Sequence, residues 1–427
     1  MKVLVIGGGG REHAIVWKLA QSRHVDKIYC APGNAGIAET AECIDISIGD
    51  FDELINLVRY EWIDLTIVGP EAPISMGIAD AFERGGRKIL APSKAAAQLE
   101  ASKVFSKEFM RRHRIPTAEY KVFSSYLHAE DYVRMKDSPI VIKADGLAAG
   151  KGVIVAATTD EAVDALKRIM KEKEFGDAGN RVIVEECLQG EEASFMVFTD
   201  GSTIVPMVSS QDHKQVFDHD KGPNTGGMGA YSPAPVITEK LESLVMEKIM
   251  WPAINGLREE RTKYKGVLYA GLMIKDGKPS VLEFNCRLGD PETQPVFARL
   301  DTDFVDIALA IADERLSDIK VEWKKDAAVC VVLASGGYPG KYEKGKVIRG
   351  VEKANSVDDV FVFHAGTEFD DGGIVTSGGR VLGVTATGKN IKAAKDQAYK
   401  AVGEIQFEGM HYRKDIADRA LNRKNEI

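Results

Sequence analysis

Residues 1–14 read MKVLVIGGGGREHA: a short apolar run at 3–6 is broken by four glycines and followed by helical spacing through Ala14, Ile15, Trp17, Lys18 and Leu19. A strand that ends in glycine and re-enters as a helix opens a parallel α/β sheet, because its loops collect at the carboxyl edge with backbone N–H groups facing outward. The pattern repeats outward from there. Residues 27–30 form a second strand closed by APGNAG, 52–60 are helical, and 65–68 form a strand closed by GPEAP. This β–α–β alternation over the first hundred residues predicts an α/β domain with three loops on one sheet edge.

From about residue 115 the rhythm changes. Residues 120–123, 140–143, 153–156 and 181–185 are short β runs, with a helix expected at 160–172. Strands follow at 193–198 and 203–208. The glycine-rich stretch DHDKGPNTGGMGAYSPAP (218–235) reads as a long loop. Residues 238–263 carry a helical pattern, and 269–274 and 280–284 read as strands paired around the turn KDGK. Past residue 326, VCVVLAS, FVFHAGT and GGRVLGVTATG are strands, 392–405 a helix, and HYRKDIADRALNRK a solvated helical tail. The organisation expected is a multidomain α/β and α+β chain: an N-terminal domain at 1–101, a central α+β domain at 102–325 and a C-terminal α+β domain at 326–427.

Composition narrows the function. Of 427 residues, 64 are acidic and 56 basic, a formal net charge of −8 that argues against a nucleic-acid coat. Five cysteines, odd in number and scattered, lack metal-finger spacing and suit a reduced, cytoplasmic protein. The apolar run before the first glycines is too short for a signal peptide, and no run reaches the roughly 18–20 residues of a membrane span.

Three stretches carry phosphate chemistry. GGGGREHA fails the dinucleotide fingerprint, since Glu12 or His13 falls where the third small residue belongs; it reads as a loop for a smaller phosphate ligand, with Gly9, Gly10 and Arg11 as contacts. Asn34 in PGNAG and Glu71 in GPEAP share that edge, Glu71 as a hydroxyl acceptor. KADGLAAGKGV (143–153) ends a strand on a lysine and continues into glycines with Lys151, a cover for triphosphate oxygens that lacks Walker spacing. In VLEFNCRLGDPE (281–292), Glu283 and Asn285 lie two apart on a strand and project together, oxygen ligands suited to Mg²⁺, with Arg287 beside them. Strand alternation sends Cys286 to the opposite face.

These stretches, with EASKVFSK, VEECLQGEEAS, QDHK, YAGLMI, YPGKYEKG, FHAGT and TSGGRVL, resemble the phosphoribosylamine–glycine ligase (glycinamide ribonucleotide synthetase) family of ATP-grasp enzymes along nearly the whole chain. The sequence departs from the family pattern at Gln215 and His219 after QDHK, at Leu288, and at Gly271, where many ATP-grasp enzymes add a third carboxylate.

The resemblance implies a Rossmann-like N-terminal domain, a central ATP-grasp fold with a mobile lobe at about 120–190, and a C-terminal domain. It implies ligation of glycine to 5-phosphoribosylamine in purine biosynthesis, through a glycyl phosphate, with ATP and Mg²⁺ or Mn²⁺. Lys103 and Lys143 resemble the lysines on nucleotide phosphates, alongside Gly150, Lys151 and Gly152. Glu185, Glu186 and Leu188 resemble the adenine hinge, Glu192 the ribose carboxylate, and Glu283 and Asn285 the metal pair. Arg287, Lys143 and Asp212 are assigned to catalysis. Asp212, Lys214, Asn224, Gly226, Arg287, Asp290 and Glu292 join the N-terminal loops as substrate contacts. The partners expected are small molecules, not nucleic acid or membrane, for a monomer or weak homodimer. Another ATP-grasp carboxylate–amine ligase, a nicotinamide oxidoreductase and a non-catalytic nucleotide-binding protein are the alternatives, the last two disfavoured by the broken fingerprint and by the paired lysines with Glu283 and Asn285.

Overall fold

In a computed structural model of the chain, describing residues 1–147 and 152–423, Lys2–Gly7 is the central strand of a five-stranded parallel sheet. On one side lie Lys27–Pro32 and Glu42–Cys43, on the other Leu65–Val68 and Ile89–Leu90. The strand order reverses at Lys2–Gly7, so the loops after it and after Leu65–Val68 splay apart at a switch point, where open α/β sheets bind ligands. One apolar face of this sheet (Val3, Val5, Ile67) shares a continuous core with Met196, Phe198, Phe297 and Phe304 of the central region. The N-terminal domain is thereby welded to the larger central lobe.

Two antiparallel four-stranded sheets form the central region. The smaller orders its strands Tyr120–Phe123, Val182–Glu186, Ile140–Ala144, Val153–Ala156, over a core of its own built from Phe123, Val133, Ile142, Leu166 and Val184. The larger orders Ile204–Pro206, Glu191–Thr199, Gly266–Lys275, Lys278–Asn285. Two separate cores make two lobes, and the ends of Ile140–Ala144 and Lys278–Asn285 meet between them.

The third unit is an antiparallel sheet ordered Gln211–Asp212, Gly229–Ser232, Ala327–Ala334, Arg380–Gly388, Val360–His364, covered by the helix Ile391–Val402. Its second strand, Gly229–Ser232, comes from the stretch expected to be a loop, and that expectation is corrected. Residues 218–235 complete the hairpin Gln215–Phe217/Lys221–Asn224 and supply Gly229–Ser232, buried at every position. Glycine is needed there for approach: a Cβ on Gly229 would sit 2.7 Å from the Cys330 carbonyl oxygen. Glycine density marked close backbone packing, not irregularity.

Two long helices are also corrected. The helix expected at 160–172 ends as an α-helix at Leu166 and continues as a wider turn, Lys167–Lys171. The pattern at 238–263 splits into Glu239–Val245, a wide turn at Met246–Met250 and Trp251–Glu259. Pro252 has no N–H for the preceding turn, which breaks the hydrogen-bond ladder there. The tail from His411 is not a solvated helix: Arg413 is 1% exposed, Ile416 and Ala417 are buried, and only Asp418–Asn422 is helical.

Candidate functional site

Lys103 opens the helix Lys103–Arg112, which Ser102 caps by accepting the Phe105 N–H. Ser102 also donates to Asp145 at 2.9 Å, and Lys103 Nζ donates to the Gly146 carbonyl at 2.9 Å, so the helix start is tied to the loop after Lys143. One turn on, Lys107 lies on the same helix face. Its Nζ reaches Glu185 Oε2 at 2.9 Å and Thr117 Oγ1 at 2.8 Å. Lys143 Nζ meets the same Glu185 oxygen at 3.0 Å and the Leu282 carbonyl at 3.1 Å. Glu185 thus holds two buried lysines on one oxygen, and its other oxygen is buried without a partner among the described residues. Burial lowers the proton affinity of Lys103 and pushes Lys107 down to about 8, against the pull of Glu185 on Lys107.

Glu283 and Asn285 end the strand Lys278–Asn285 on one face. Glu283 sits opposite Gly271, where a Cβ would touch its Cγ at 3.4 Å, so no third carboxylate stands there. Burial opposes ionisation of Glu283, yet Lys214, Lys103, Lys143 and Arg287 outweigh it and hold the carboxyl below its usual range. Among the described residues the Glu283 carboxylate accepts no hydrogen bond. Arg287 donates to Asn285 Oδ1 at 3.2 Å and pairs with Glu100 at 3.1 Å and Glu71 at 3.3 Å. Glu71 reaches in from the N-terminal domain. Against the cost of its burial, Arg287 and Arg11 keep it ionised below the usual range.

Asp212, His213 and Lys214 follow one another past the large lobe. Lys214 Nζ pairs with Glu192 at 2.8 Å. Burial pushes the Asp212 carboxyl up to about 7; Lys214 and Arg419 oppose the rise, and Glu292 and Glu192 add to it. Lys214 is held well above its usual value by Glu192, Asp212 and Glu283, which together overcome desolvation. Glu292 is buried and accepts from Tyr269 at 2.6 Å and Ser194 at 3.1 Å. His213 is 1% exposed with neither ring nitrogen partnered among the described residues, and burial lowers its pKa to about 3, a neutral structural ring.

The N-terminal loop reads differently in three dimensions. The anion at the helix N-terminus is the chain's own Glu12, whose Oε2 accepts the Gly9 N–H at 2.6 Å and whose Oε1 pairs with Arg11. A Cβ on Gly69 would lie 1.8 Å from that Oε1, so several of these glycines make room for Glu12. The Asn34 amide is spent on the carbonyls of Gly8 and His364, and its Oδ1 on the Ile37 N–H. Both groups are satisfied internally for one reason: a turn rich in N–H groups saturates itself when a neighbouring side chain reaches it.

Arg11 Nη1 instead donates to the Leu288 carbonyl at 3.0 Å, and Arg11 and Arg380 hold Asp290 ionised against its burial. Arg380 also donates to the carbonyls of Gly226 and Asp290, both at 2.7 Å, joining the C-terminal domain to the cleft. Asn224 ends the hairpin, paired with Gln215. Glu186, the last residue of the strand Val182–Glu186, is exposed, Leu188 just past it is half-buried, and the Gly152 carbonyl accepts the Ala144 N–H at 2.9 Å. Gly150 and Lys151 lie outside the described residues. Sequence reasoning missed Lys107 and Arg380 as cleft residues. The signals were present: EASKVFSK places Lys107 four residues after Lys103, and TSGGRVL contains Arg380.

Comparison with known proteins covers the whole chain. Models of the phosphoribosylglycinamide synthetase N domain, ATP-grasp (A) domain and C domain match residues 1–100, 101–293 and 328–419. A phosphoribosylamine–glycine ligase of Vibrio parahaemolyticus is 52% identical over all of both chains. That of Salmonella typhimurium is 53% identical over 99% of this chain and 100% of the relative. The crystal structure of the Thermotoga maritima phosphoribosylamine–glycine ligase superposes with a TM-score of 0.86 at 33% identity, over 98% of this chain and 100% of that one. A biotin carboxylase of Campylobacter jejuni, at 13% identity and a TM-score of 0.74 over 99% of this chain and 95% of that one, shares the fold.

Proposed function

The chain belongs to the phosphoribosylglycinamide synthetase family, and from that premise we propose how its cleft carries out the ATP-dependent ligation of glycine to 5-phosphoribosylamine. It is a carbon–nitrogen ligase of purine biosynthesis that releases ADP and phosphate. The observation that carries the residue assignment is the convergence of Lys103, Lys143, Lys214 and Arg287 on Glu283. Lys143, Lys214 and Arg287 are shared with Glu185, Glu192 and the Glu71–Glu100 pair, yet together with Lys103 they outweigh burial at Glu283 and make a local positive field suited to triphosphate oxygens.

In this reading the glycine carboxylate attacks the γ-phosphorus and ADP leaves, giving glycyl phosphate. The sugar amine then attacks the acyl carbon and phosphate departs. The protein's part is positioning and charge neutralisation, without a covalent nucleophile. Lys103 and Lys143 hold phosphate oxygens with Gly150, Lys151 and Gly152. Glu185, Glu186 and Leu188 border the adenine and Glu192 the ribose. Arg287 steadies the developing charge between the two domains. Glu283 and Asn285 would hold Mg²⁺ or Mn²⁺: both offer hard oxygens, and a carboxylate kept ionised with no hydrogen-bond donor among the described residues suits a cation. When bound, the ion supplies further neutralisation of the phosphate oxygens.

Asp212, raised to about 7, is poised to take the proton the amine sheds on attack. Gly10, Arg11, Glu71, Asn224, Gly226, Asp290 and Glu292 border the sugar phosphate side. The N–H of Gly9 and the amide of Asn34 are already committed within the protein. A cytoplasmic setting is supported by five free cysteines, and nothing in the reaction calls for nucleic acid.

The test is ADP release with each substrate omitted in turn. Release is expected to need both glycine and 5-phosphoribosylamine. Full-rate release with either absent, or with another carboxylate replacing glycine, favours a different ATP-grasp ligase.

A further inference from the structure

Residues 411–423 pack along the hairpin Gln215–Phe217/Lys221–Asn224, which begins directly after Lys214. The contacts are polar and pairwise. His411 Nε2 lies 2.8 Å from the Val216 carbonyl. Arg413 donates to the Gln215 carbonyl at 3.1 Å, pairs with Asp220 at 3.0 Å, and makes a two-pronged bond to Asp415 at 2.7 and 2.6 Å. Asp415 in turn accepts the His219 N–H, and Asp218 accepts the Lys414 N–H, each at 2.8 Å. Arg419 pairs with Asp220 at 2.5 Å and reaches the Asp212 carbonyl at 3.5 Å. Arg423 pairs with Glu191, the neighbour of Glu192, at 2.9 Å.

This wiring is directed at one place. His219 and Asp220, at the hairpin tip, hold φ of 59° and 53°, a left-handed conformation that non-glycine residues adopt at a cost. The tail's Arg413, Asp415 and Arg419 bind those two residues. At its base the hairpin returns to grip the site: the Thr225 N–H and hydroxyl both donate to the Lys214 carbonyl, at 2.8 and 2.7 Å, and the Met228 N–H donates to the His213 carbonyl at 2.8 Å. Residues 212–214 are therefore fixed on one side by 225–229 and on the other by the tail.

We propose that the C-terminal tail is a positioning element of the catalytic cleft: Arg419 and Arg413, acting through Asp220 and Asp415, hold the hairpin and thereby set Asp212 and Lys214 against the reacting amine. The proposal rests on the reading that Asp212 and Lys214 face substrate. Neither arginine touches the reacting atoms; each works through the segment it anchors, where small displacements are costly in rate.

The test is steady-state ADP release by the full chain carrying Arg419→Ala, Arg419→Lys or Asp220→Asn. Arg419→Ala is expected to lower kcat about tenfold, a modest part of what misplacing a reacting group costs, with KM for ATP unchanged within about twofold. Arg419→Lys should recover most of the loss, and Asp220→Asn should reproduce it. The pH profile gives a readout that a merely structural clamp would not move. Asp212 faces Lys214, Glu192, Glu292, Tyr231, Tyr269 and Arg419, and removing Arg419 takes away one of its two cations, so the acidic limb of kcat/KM for the amine should move to higher pH. Unchanged kcat and limb in Arg419→Ala overturn the proposal. So does a parallel loss of kcat and ATP affinity with a lowered Tm that lysine fails to rescue. Asp212→Asn separates the two readings: if it is impaired while Arg419→Ala is not, only the tail's role fails; if it is silent, the assignment of Asp212 fails and the positioning role with it.

Discussion

Two buried carboxylate clusters divide the cleft. Around Glu185, two lysines serve one acid; around Asp212, the single ammonium of Lys214 and the more distant Arg419 serve Asp212, Glu192 and Glu292. Both are desolvated, and the ratio of charges gives each its character. Where cations are in excess, burial bears on the lysines, and Lys107 falls to about 8. Where anions are in excess, burial bears on the acid, and Asp212 rises to about 7. In the proposed mechanism the first arrangement suits an incoming polyanion, which relieves like-charge crowding, and the second suits a proton acceptor.

The largest way to break this comparison is to remove the carboxylate that lies between the clusters. Glu283→Ala should lower kcat by about 10³-fold or more while far-UV circular dichroism stays unchanged, the scale expected for losing a group that organises charge at a phosphoryl centre. Near-normal turnover with Mg²⁺ present would remove Glu283 from the site. Next in size is Asp212→Asn, expected to cost about 10²-fold in kcat/KM for the amine, as for a lost general base.

The parent enzyme should also show an acidic limb near pH 7 that this variant lacks. The sign follows from the raised pKa: the base form accumulates only as pH climbs through about 7, so activity rises across that window. Stability runs the other way. A carboxyl lifted from 3.8 to about 7 contributes most below its unfolded value and loses that contribution as pH rises through about 7. Smallest is Lys107→Met. Glu185 keeps Lys143, so the expected result is a KM for ATP raised about tenfold, worth about 1.4 kcal/mol, with kcat little changed. An equal fall in kcat would show that Lys107 acts on the chemistry and not on the ground-state field.

How much was legible in the sequence varies with the range of the interaction. The parallel N-terminal sheet was readable because four of its cues are local: apolar runs, glycine breaks, helical spacing and short connections. The pair Glu283 and Asn285 was readable because strand alternation puts residues two apart on one face. Lys107 was not singled out, since its meaning depends on Glu185, which is distant in the chain and adjacent only through the lobe's antiparallel sheet. Residues 218–235 were misread because glycine has two opposite uses. It loosens a loop, and it also lets a strand such as Gly229–Ser232 press against its neighbour.

The N-terminal loop and the C-terminal tail mark the limit most sharply. By itself the amino-acid order determined the three-part layout, the family and the chemical types in the cleft, because those follow from periodicity and from motifs read within a few residues. Only the folded chain decided that Glu12 occupies the loop's own N–H group and that Arg413 is buried against a hairpin whose Asp220 lies 193 residues upstream. A charged side chain reads as solvated until its partner arrives from elsewhere in the chain, and burial then makes that pairing obligatory.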